Sequence, residues 1–538
     1  MTHMKNPILR GFHPDPTIVR VGDDYYLATS TFEWYPGVCI YHSVDLVNWV
    51  LAARPLASLE LLDMRGNPDS CGVWAPCLSY HNERFYLAFT NTRRFQGDFK
   101  DTPNYLISSE KITGPWSTPR FINSSGFDPS LFHDDTGKSY WLNMIWDHRP
   151  SKVRGNHAGR FFGGISCQEI DLNTGKLLGS PSVIFKGSEL GLAEGPHIFK
   201  KGNYYYLIVA EGGTDKDHAV TIARSETVFG PYELPLNRPL LSSKCSPNLP
   251  IKRSGHGDIC TTPEGESILV HLCSRPLTFR GRSVMGRETA LQKLSWKDGW
   301  PELASGANIP SLIIQTDRHP HNTCSIEKVD FKRQKLPNSY HSLRYPLPKE
   351  VLYYSTHALT LHGQQSLGSL FEQSLLARRQ QSFRFSYTTE FSFSPKNFQQ
   401  MAGLVCYYNS KQYYYLYVTF SEEKGRVIEL SSCQGRANCE YLLEEPIKLP
   451  DTGKVYLKAN IDHDLLHLAY KTDESAWHWV AVNLDYSILS DEFGEGGAGA
   501  NFTGAFVGIC CQDLSGARQP AHFYSLDRKS TRLNSSHS

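Results

Sequence analysis

The run Gly191-Leu192-Ala193-Glu194-Gly195-Pro196-His197-Ile198, followed by the aromatic strand Tyr204-Tyr205-Tyr206-Leu207, decides the fold, because it recurs in degenerate form along the first 300 residues. Each copy has a polar anchor, a small turn, an apolar pair, a polar hairpin and an aromatic or aliphatic strand. The other copies are Asp15-Pro16-Thr17-Ile18 before Tyr25-Tyr26-Leu27, Trp74-Ala75-Pro76-Cys77-Leu78 before Phe85-Tyr86-Leu87, and Asp128-Pro129-Ser130-Leu131 before Tyr140-Trp141-Leu142. The fifth is Gly255-His256-Gly257-Asp258-Ile259 before Ile268-Leu269-Val270, and proline stands two residues before the Ile or Leu in four of the five. Anchors at 15, 74, 128, 194 and 256 give a period of about 55 to 65 residues, slightly above the repeat lengths of propellers and solenoids.

A repeat of that length built from short strands and hairpins reads as one four-stranded blade. The hairpins carry the necessary turn chemistry: Gly22-Asp23-Asp24, Asp134-Asp135-Thr136-Gly137, Lys201-Gly202-Asn203 and Pro263-Glu264-Gly265. Equivalent positions of radially arranged blades converge on one axis. The repeat therefore predicts Asp15, Asp128 and Glu194 around a common cavity, from blades one, three and four, with Trp74 and His256 at the same level. Three carboxylates there are costly unless they do chemistry.

The chain has 538 residues, which predicts two domains. Its 55 basic and 54 acidic side chains leave a net charge of +1, which argues against a nucleic-acid or membrane-surface partner. No stretch approaches a membrane span and the N-terminus lacks an apolar core of signal-peptide length; the cysteine usage makes a reducing cytoplasm the expected location. Thirteen scattered cysteines without a C-x-x-C pair indicate neither a disulfide framework nor a zinc site, and Cys510-Cys511 reads as buried strand. Residues 5–300 are assigned to the propeller. The Pro-rich segment 301–349 is expected to be a connector, and 350–525 a β-sandwich, from period-two strands such as 382–393, 403–408, 413–420, 454–460 and 504–509. The basic, aperiodic residues 526–538 are expected to form a disordered tail of non-native appearance.

Glycoside hydrolysis requires a carboxylic acid to protonate the leaving oxygen and a carboxylate to activate water or attack carbon. Three axial acids suit it without assigning roles. The wider sequence strongly resembles family 43 of the glycoside hydrolases, and within it the two-domain β-xylosidases. The resemblance rests on Asn6-Pro7-Ile8-Leu9-Arg10-Gly11-Phe12-His13-Pro14-Asp15-Pro16, Phe32-Glu33-Trp34-Tyr35-Pro36-Gly37, Val73-Trp74-Ala75-Pro76, Gly126-Phe127-Asp128-Pro129-Ser130, Glu194-Gly195-Pro196-His197, Gly255-His256-Gly257 and Gly286-Arg287-Glu288-Thr289-Ala290. Phe502-Thr503-Gly504-Ala505-Phe506-Val507 resembles that group's C-terminal domain.

The resemblance implies an all-β chain: a five-bladed β-propeller followed by a lectin-like (concanavalin A-like) jelly-roll sandwich. It implies Asp15 as general base, Glu194 as general acid, and Asp128 as the acid that orients Glu194 and raises its pKa by like-charge repulsion. Base and acid of an inverting enzyme stand about 6.5–9.5 Å apart. Arg287 is expected to grip sugar hydroxyls, Phe32, Trp74 and Trp146 to wall the xylose ring, Ala75 to line the substrate site, and His256 to lie near the axis. The second domain is expected to send the loop bearing Phe506 over the pocket, with the flexible run Gly494 to Ala500 ahead of Phe502 and Phe506. No cofactor is implied and no acidic cage for a metal is present. The implied activity is an exo-acting, inverting β-1,4-xylosidase acting on short xylo-oligosaccharides, with α-L-arabinofuranosidase side activity; a homo-oligomer is compatible with it. An arabinan-degrading enzyme with an open groove and an inactive sugar-binding propeller are the alternatives.

Overall fold

The computed structural model describes residues 2–150, 161–236, 239–277, 280–317, 319, 326–473, 475–494 and 501–530. The chain divides into two compact units, Met1–Arg275 with Arg287–His321, and Pro276–Gly286 with Asn322–Ser538. Both are built from strands. Among the described residues the one helical element is a 3-10 turn, Tyr486–Ile488, and no helix is long and apolar enough to cross a membrane.

The first unit is a five-bladed propeller, each blade a four-stranded antiparallel meander. The innermost strands are Thr17–Val21, Gly72–His81, Ser130–His133, Glu194–Lys201 and Lys252–Thr261. Each touches the next, and the fifth touches the first, so the ring closes and no inner edge is left open. The N-terminal segment laces that closure: Thr2–Lys5 pairs with Ile313–Thr316, and Asn6 exchanges hydrogen bonds with Leu291 of blade five at 2.8 and 2.9 Å. Blades pack face to face through apolar strand residues, for example Leu87, Phe89 and Ile107 of blade two against Val38, Ile40 and Leu56 of blade one.

The innermost strands correct the repeat alignment. Asp15, Ala75, Asp128, Gly195 and His256 occupy one backbone position, each left-handed, with φ of 52°, 26°, 56°, 57° and 42°. Glu194 and Trp74 stand one residue earlier, before a bulge that interrupts the ladder: Trp74 faces Thr90 and Cys77 faces Ala88; Glu194 faces Ala210 and His197 faces Ile208. The proline marks the true register. Glutamate, one methylene longer than aspartate, reaches the cavity from one residue further back.

Two residues beyond the left-handed position runs a polar belt. The Thr17 hydroxyl and the Ile18 N–H both donate to Asp258 Oδ2 at 2.9 Å, Leu78 N–H donates to Thr17 at 3.4 Å, and His197 Nδ1 lies 3.8 Å from Asp258 Oδ2. It ties blades one, two, four and five together at the axis.

The second unit is a sandwich. One sheet runs Leu352–Tyr354, Leu359–His362, Pro520–Ser530, Arg384–Phe393, Val455–Asp462, Leu465–Thr472, His478–Asp485. The other runs Cys439–Tyr441, Gly425–Gln434, Gln412–Ser421, Gln400–Asn409, Phe506–Asp513, Ser374–Arg379, Tyr340–Leu343. Arg384–Phe393 and Val455–Asp462 alternate strictly between buried and less buried residues, as period-two sequence requires. Their inward side chains, Tyr387, Phe391, Leu457 and Ala459, meet Leu404, Leu416, Ile428 and Ile509 of the facing sheet in one core.

Two expected boundaries change. The expected connector is structured: Ile313–Thr316 pairs within the first unit, while Ile326–Asp330 and Tyr340–Leu343 are strands of the sandwich. The expected tail is also shorter, because residues 526–530 complete the strand Pro520–Ser530, with Leu526 fully buried and register to Arg384–Phe393 kept through Ser530. Residues 531–538 lie outside the described residues.

Candidate active site

Asp15, Asp128 and Glu194 come together, each less than a tenth exposed, and each carboxyl is shifted upward. Burial is the first cause in all three, because a desolvated carboxylate is costly. What differs is the company each keeps.

Asp15 accepts the Ser30 hydroxyl at 2.6 Å and lies in the field of the Arg287 guanidinium; both favour its ionised form against burial. His256 Nδ1 lies 3.5 Å from its other oxygen. Burial and the neighbouring His197 and Arg287 push His256 down to about 3, so the ring is neutral and not a counter-ion. Glu194 is raised to about 7, by burial and then by the negative charge of Asp15, with Arg287 and Lys100 pulling the other way. Asp128 is raised well above its ordinary value by burial, Glu194 and Asp15, and its Oδ2 accepts the Gly195 N–H at 3.0 Å. That bond holds the peptide next to Glu194. Asp15 thus raises Glu194 by its charge, and Glu194 and Asp128 repel one another, which raises Asp128 in turn.

Gly195 is glycine for two reasons: its φ is +57°, and a Cβ would sit 2.7 Å from His256 Nε2. The imidazole packs against the bare backbone beside Glu194. His218 stands behind: its Nδ1 is 3.1 Å from the Arg253 carbonyl oxygen, and burial pushes it down to about 3.

Arg287 immediately precedes the third strand of blade five, Glu288–Lys297, and is buried. Its backbone carbonyl accepts the His13 N–H at 2.8 Å, tying it to the turn that presents Asp15. Next to it Glu288 is fully buried and held by Arg275 at 2.7 and 2.8 Å and by the Gly11 N–H at 2.8 Å, which fixes the strand end.

One wall is aromatic. Phe12, Phe32, Trp74 and Phe127 follow one another at ring-centre distances of 5.7, 6.0 and 5.4 Å, and Trp146 lies 6.2 Å beyond Phe127. The indole N–H groups of Trp74 and Trp146 donate to the carbonyls of Ser70 and Asp98, at 2.9 and 2.7 Å, so both rings are fixed in place. The Lys100 ammonium stands 4.2 Å from the Trp146 ring centre and donates to the Phe95 carbonyl. Burial lowers it to about 8, opposed by the charges of Cys71 and Glu194.

Sequence reasoning missed Ser30, Lys100, His218, Phe12 and Phe127 as members of this constellation. Phe12 and Phe127 lie inside quoted motifs and could have been read from them. Lys100 and His218 lie in inter-strand segments with no repeat signature.

Ala75 takes the left-handed place in blade two and is buried, leaving room where blades one and three carry carboxylates. Phe506 belongs to the second unit. It is fully buried at the start of a strand, edge-on to His341 at 6.3 Å and under the Arg379 guanidinium at 5.8 Å. It is thus a strand residue and not part of a loop; of the glycine-rich run ahead of it, residues 495–500 lie outside the described residues. Among the described residues no group of three His, Cys, Asp or Glu side chains is arranged to hold a metal ion.

Comparison with known proteins bears on this arrangement. The family described as Glycosyl hydrolases family 43 matches residues 4–301, and that described as Beta xylosidase C-terminal Concanavalin A-like domain matches residues 328–528. The chain is 45% identical over 529 residues to a xylosidase/arabinosidase 43B of Humicola insolens, covering 97% of each. It is 45% identical over 531 residues to a beta-xylosidase of Bacillus subtilis (strain 168), covering 96% of this chain and 98% of that one. The crystal structure of a xylan beta-1,4-xylosidase from Bacillus halodurans C-125 superposes with a TM-score of 0.93 at 45% identity, over 98% of this chain and 100% of that one.

Proposed function

The chain belongs to glycosyl hydrolase family 43, and on that premise we propose that it removes xylose from the non-reducing ends of short β-1,4-linked xylo-oligosaccharides by a single inverting displacement. The observation that carries this reading is the contrast between two buried carboxyl groups in one cavity. Asp15 is supported as a carboxylate by Ser30 and Arg287, whereas Glu194 is raised to about 7 and keeps its proton near neutrality.

In this mechanism Asp15 takes a proton from a water as its oxygen attacks the anomeric carbon. Glu194 gives its proton to the glycosidic oxygen as that bond breaks, so no free alkoxide leaves. After one turnover Asp15 is protonated and Glu194 ionised, and exchange with solvent resets both. Asp128 positions Glu194 through the Gly195 peptide, and the repulsion between the two carboxyl groups disfavours both being ionised at once. Arg287 binds sugar hydroxyls and steadies Asp15, and Phe32, Trp74 and Trp146 pack the apolar face of the ring. A cytoplasmic site of action on imported oligosaccharides accords with described cysteines that are all free thiols. A side activity on α-L-arabinofuranosides accords with the description of the Humicola relative as a xylosidase/arabinosidase.

The test is proton NMR of xylobiose hydrolysis by the purified chain, run beside linear arabinan. The reading requires α-xylose as the first-formed anomer and little action on arabinan. Release of β-xylose, or faster cleavage of arabinan, would overturn it.

A further inference from the structure

Far in sequence from any residue of the propeller cavity, the second unit holds two cysteines that sequence spacing did not single out. Gly425–Gln434 and the edge strand Cys439–Tyr441 run antiparallel, and Cys433 and Cys439 stand directly opposite each other. Directly opposed residues of such a pair have Cα atoms about 4.5–5.5 Å apart, within the roughly 4.4–6.8 Å that a disulfide spans. The two sulfurs are 2.9 Å apart, and the Tyr413 hydroxyl is 3.0 Å from Cys439 Sγ. Cys433 is buried and Cys439 is exposed; both are free thiols. The Cys433 S–H first, and the Tyr413 O–H against the opposing effect of burial, hold Cys439 below the ordinary thiol range, while Cys433 is pushed up. The accessible sulfur is therefore the nucleophile and the buried one the resolving group.

We propose that Cys433 and Cys439 are a thiol pair that low-molecular-weight disulfides oxidise to a cross-strand disulfide, clasping the sheet edge. The Cys439 thiolate attacks one sulfur of the small disulfide, forming a mixed disulfide and releasing one thiolate. Cys433 then gives up its proton and attacks Cys439 Sγ, expelling the second thiolate. Two protein thiols are oxidised, one small disulfide is reduced to two thiols, and the two protons go to the departing thiolates. The five residues between the cysteines, Gln434 to Asn438, become a closed loop, and the edge strand is held where an open edge would otherwise offer itself for pairing.

The experiment uses the reduced full chain with oxidised glutathione near neutral pH, acid-quenched, alkylated and peptide-mapped. Cys245, the other exposed cysteine among those described, is the internal reference. Wild type should lose two hydrogens in mass and yield the peptides of Cys433 and Cys439 linked. Cys433→Ser should instead accumulate a glutathione adduct on Cys439, formed about tenfold faster than on Cys245. Cys439→Ser, altered at an exposed position and checked for retained hydrolase activity, should give no adduct at Cys433. The proposal fails if wild type shows no linked peptides while Cys245 is modified, or if Cys439 in Cys433→Ser reacts no faster than Cys245.

Discussion

The propeller axis and the sandwich core are opposite solutions to burial. In the sandwich, Tyr387, Phe391, Leu404, Leu416, Ile428 and Leu457 interdigitate from two sheets, and strand alternation alone puts them inside. At the axis the buried groups are Asp15, Asp128, Glu194, His256 and Arg287, and the backbone is left-handed at Asp15, Asp128 and His256. Neither burial of charge nor positive φ serves stability. The axis is affordable because the ring of blades, the polar belt of Thr17 and Asp258, and the N-terminal lacing hold it from outside. Stability and chemistry are thus placed in different residues, and substitutions in the two regions should separate them.

The largest expected effect is on rate. Asp15→Ala should lower kcat about 10²- to 10⁴-fold, the range for a lost general base, without lowering the melting temperature. In the sandwich the reverse is expected. Phe391→Ala should cost about 3–5 kcal/mol in denaturant unfolding, leaving kcat per folded molecule unchanged. If Asp15→Ala proved as destabilising as Phe391→Ala, the division of labour would not hold.

A smaller effect concerns stability and pH. Glu194 is raised in the folded chain from 4.5 to about 7, so between those pH values the folded state binds more protons than the unfolded one. Stability from this group is then intact below the unfolded value and falls as pH rises towards the folded one. Glu194→Gln removes the ionisation. It should be more stable than wild type at pH 8, by up to roughly 3 kcal/mol, and equal to it at pH 4. Equal unfolding midpoints at both pH values would contradict a raised Glu194.

The two regions also differed in how far the sequence disclosed them. Period-two runs located Arg384–Phe393, Gln412–Ser421 and Val455–Asp462 within a few residues; the first and third bury one face, and the second is buried on both. Leu465–Thr472 and His478–Asp485 escaped; the second lies largely exposed at the sheet edge although Trp479, Val480, Ala481, Val482 and Leu484 are apolar, so composition there does not report burial. At the axis, Asp15 and Asp128 were legible from the proline that follows them. Glu194 was assigned to the same position and stands one residue before it, because bulges shift register without leaving a mark in composition. Ser30 meets Asp15 through the pairing of the first two strands of blade one, whereas Lys100 and His218 come from inter-strand segments that no local pattern marks. The Cys433–Cys439 pair was invisible for the same reason: only strand pairing sets the two residues opposite each other.

The central claim is that Asp15 and Glu194 hold opposite protonation states in one cavity at neutral pH. Its most direct test is the pH dependence of kcat/KM on 4-nitrophenyl β-xyloside for wild type and Glu194→Ala. Wild type should be bell-shaped with an alkaline limb near 7. The variant should lose that limb and keep much of its rate on this good leaving group, which needs little protonation, while losing nearly all action on xylobiose. An unchanged alkaline limb in Glu194→Ala, or equal losses on the two substrates, would contradict the account.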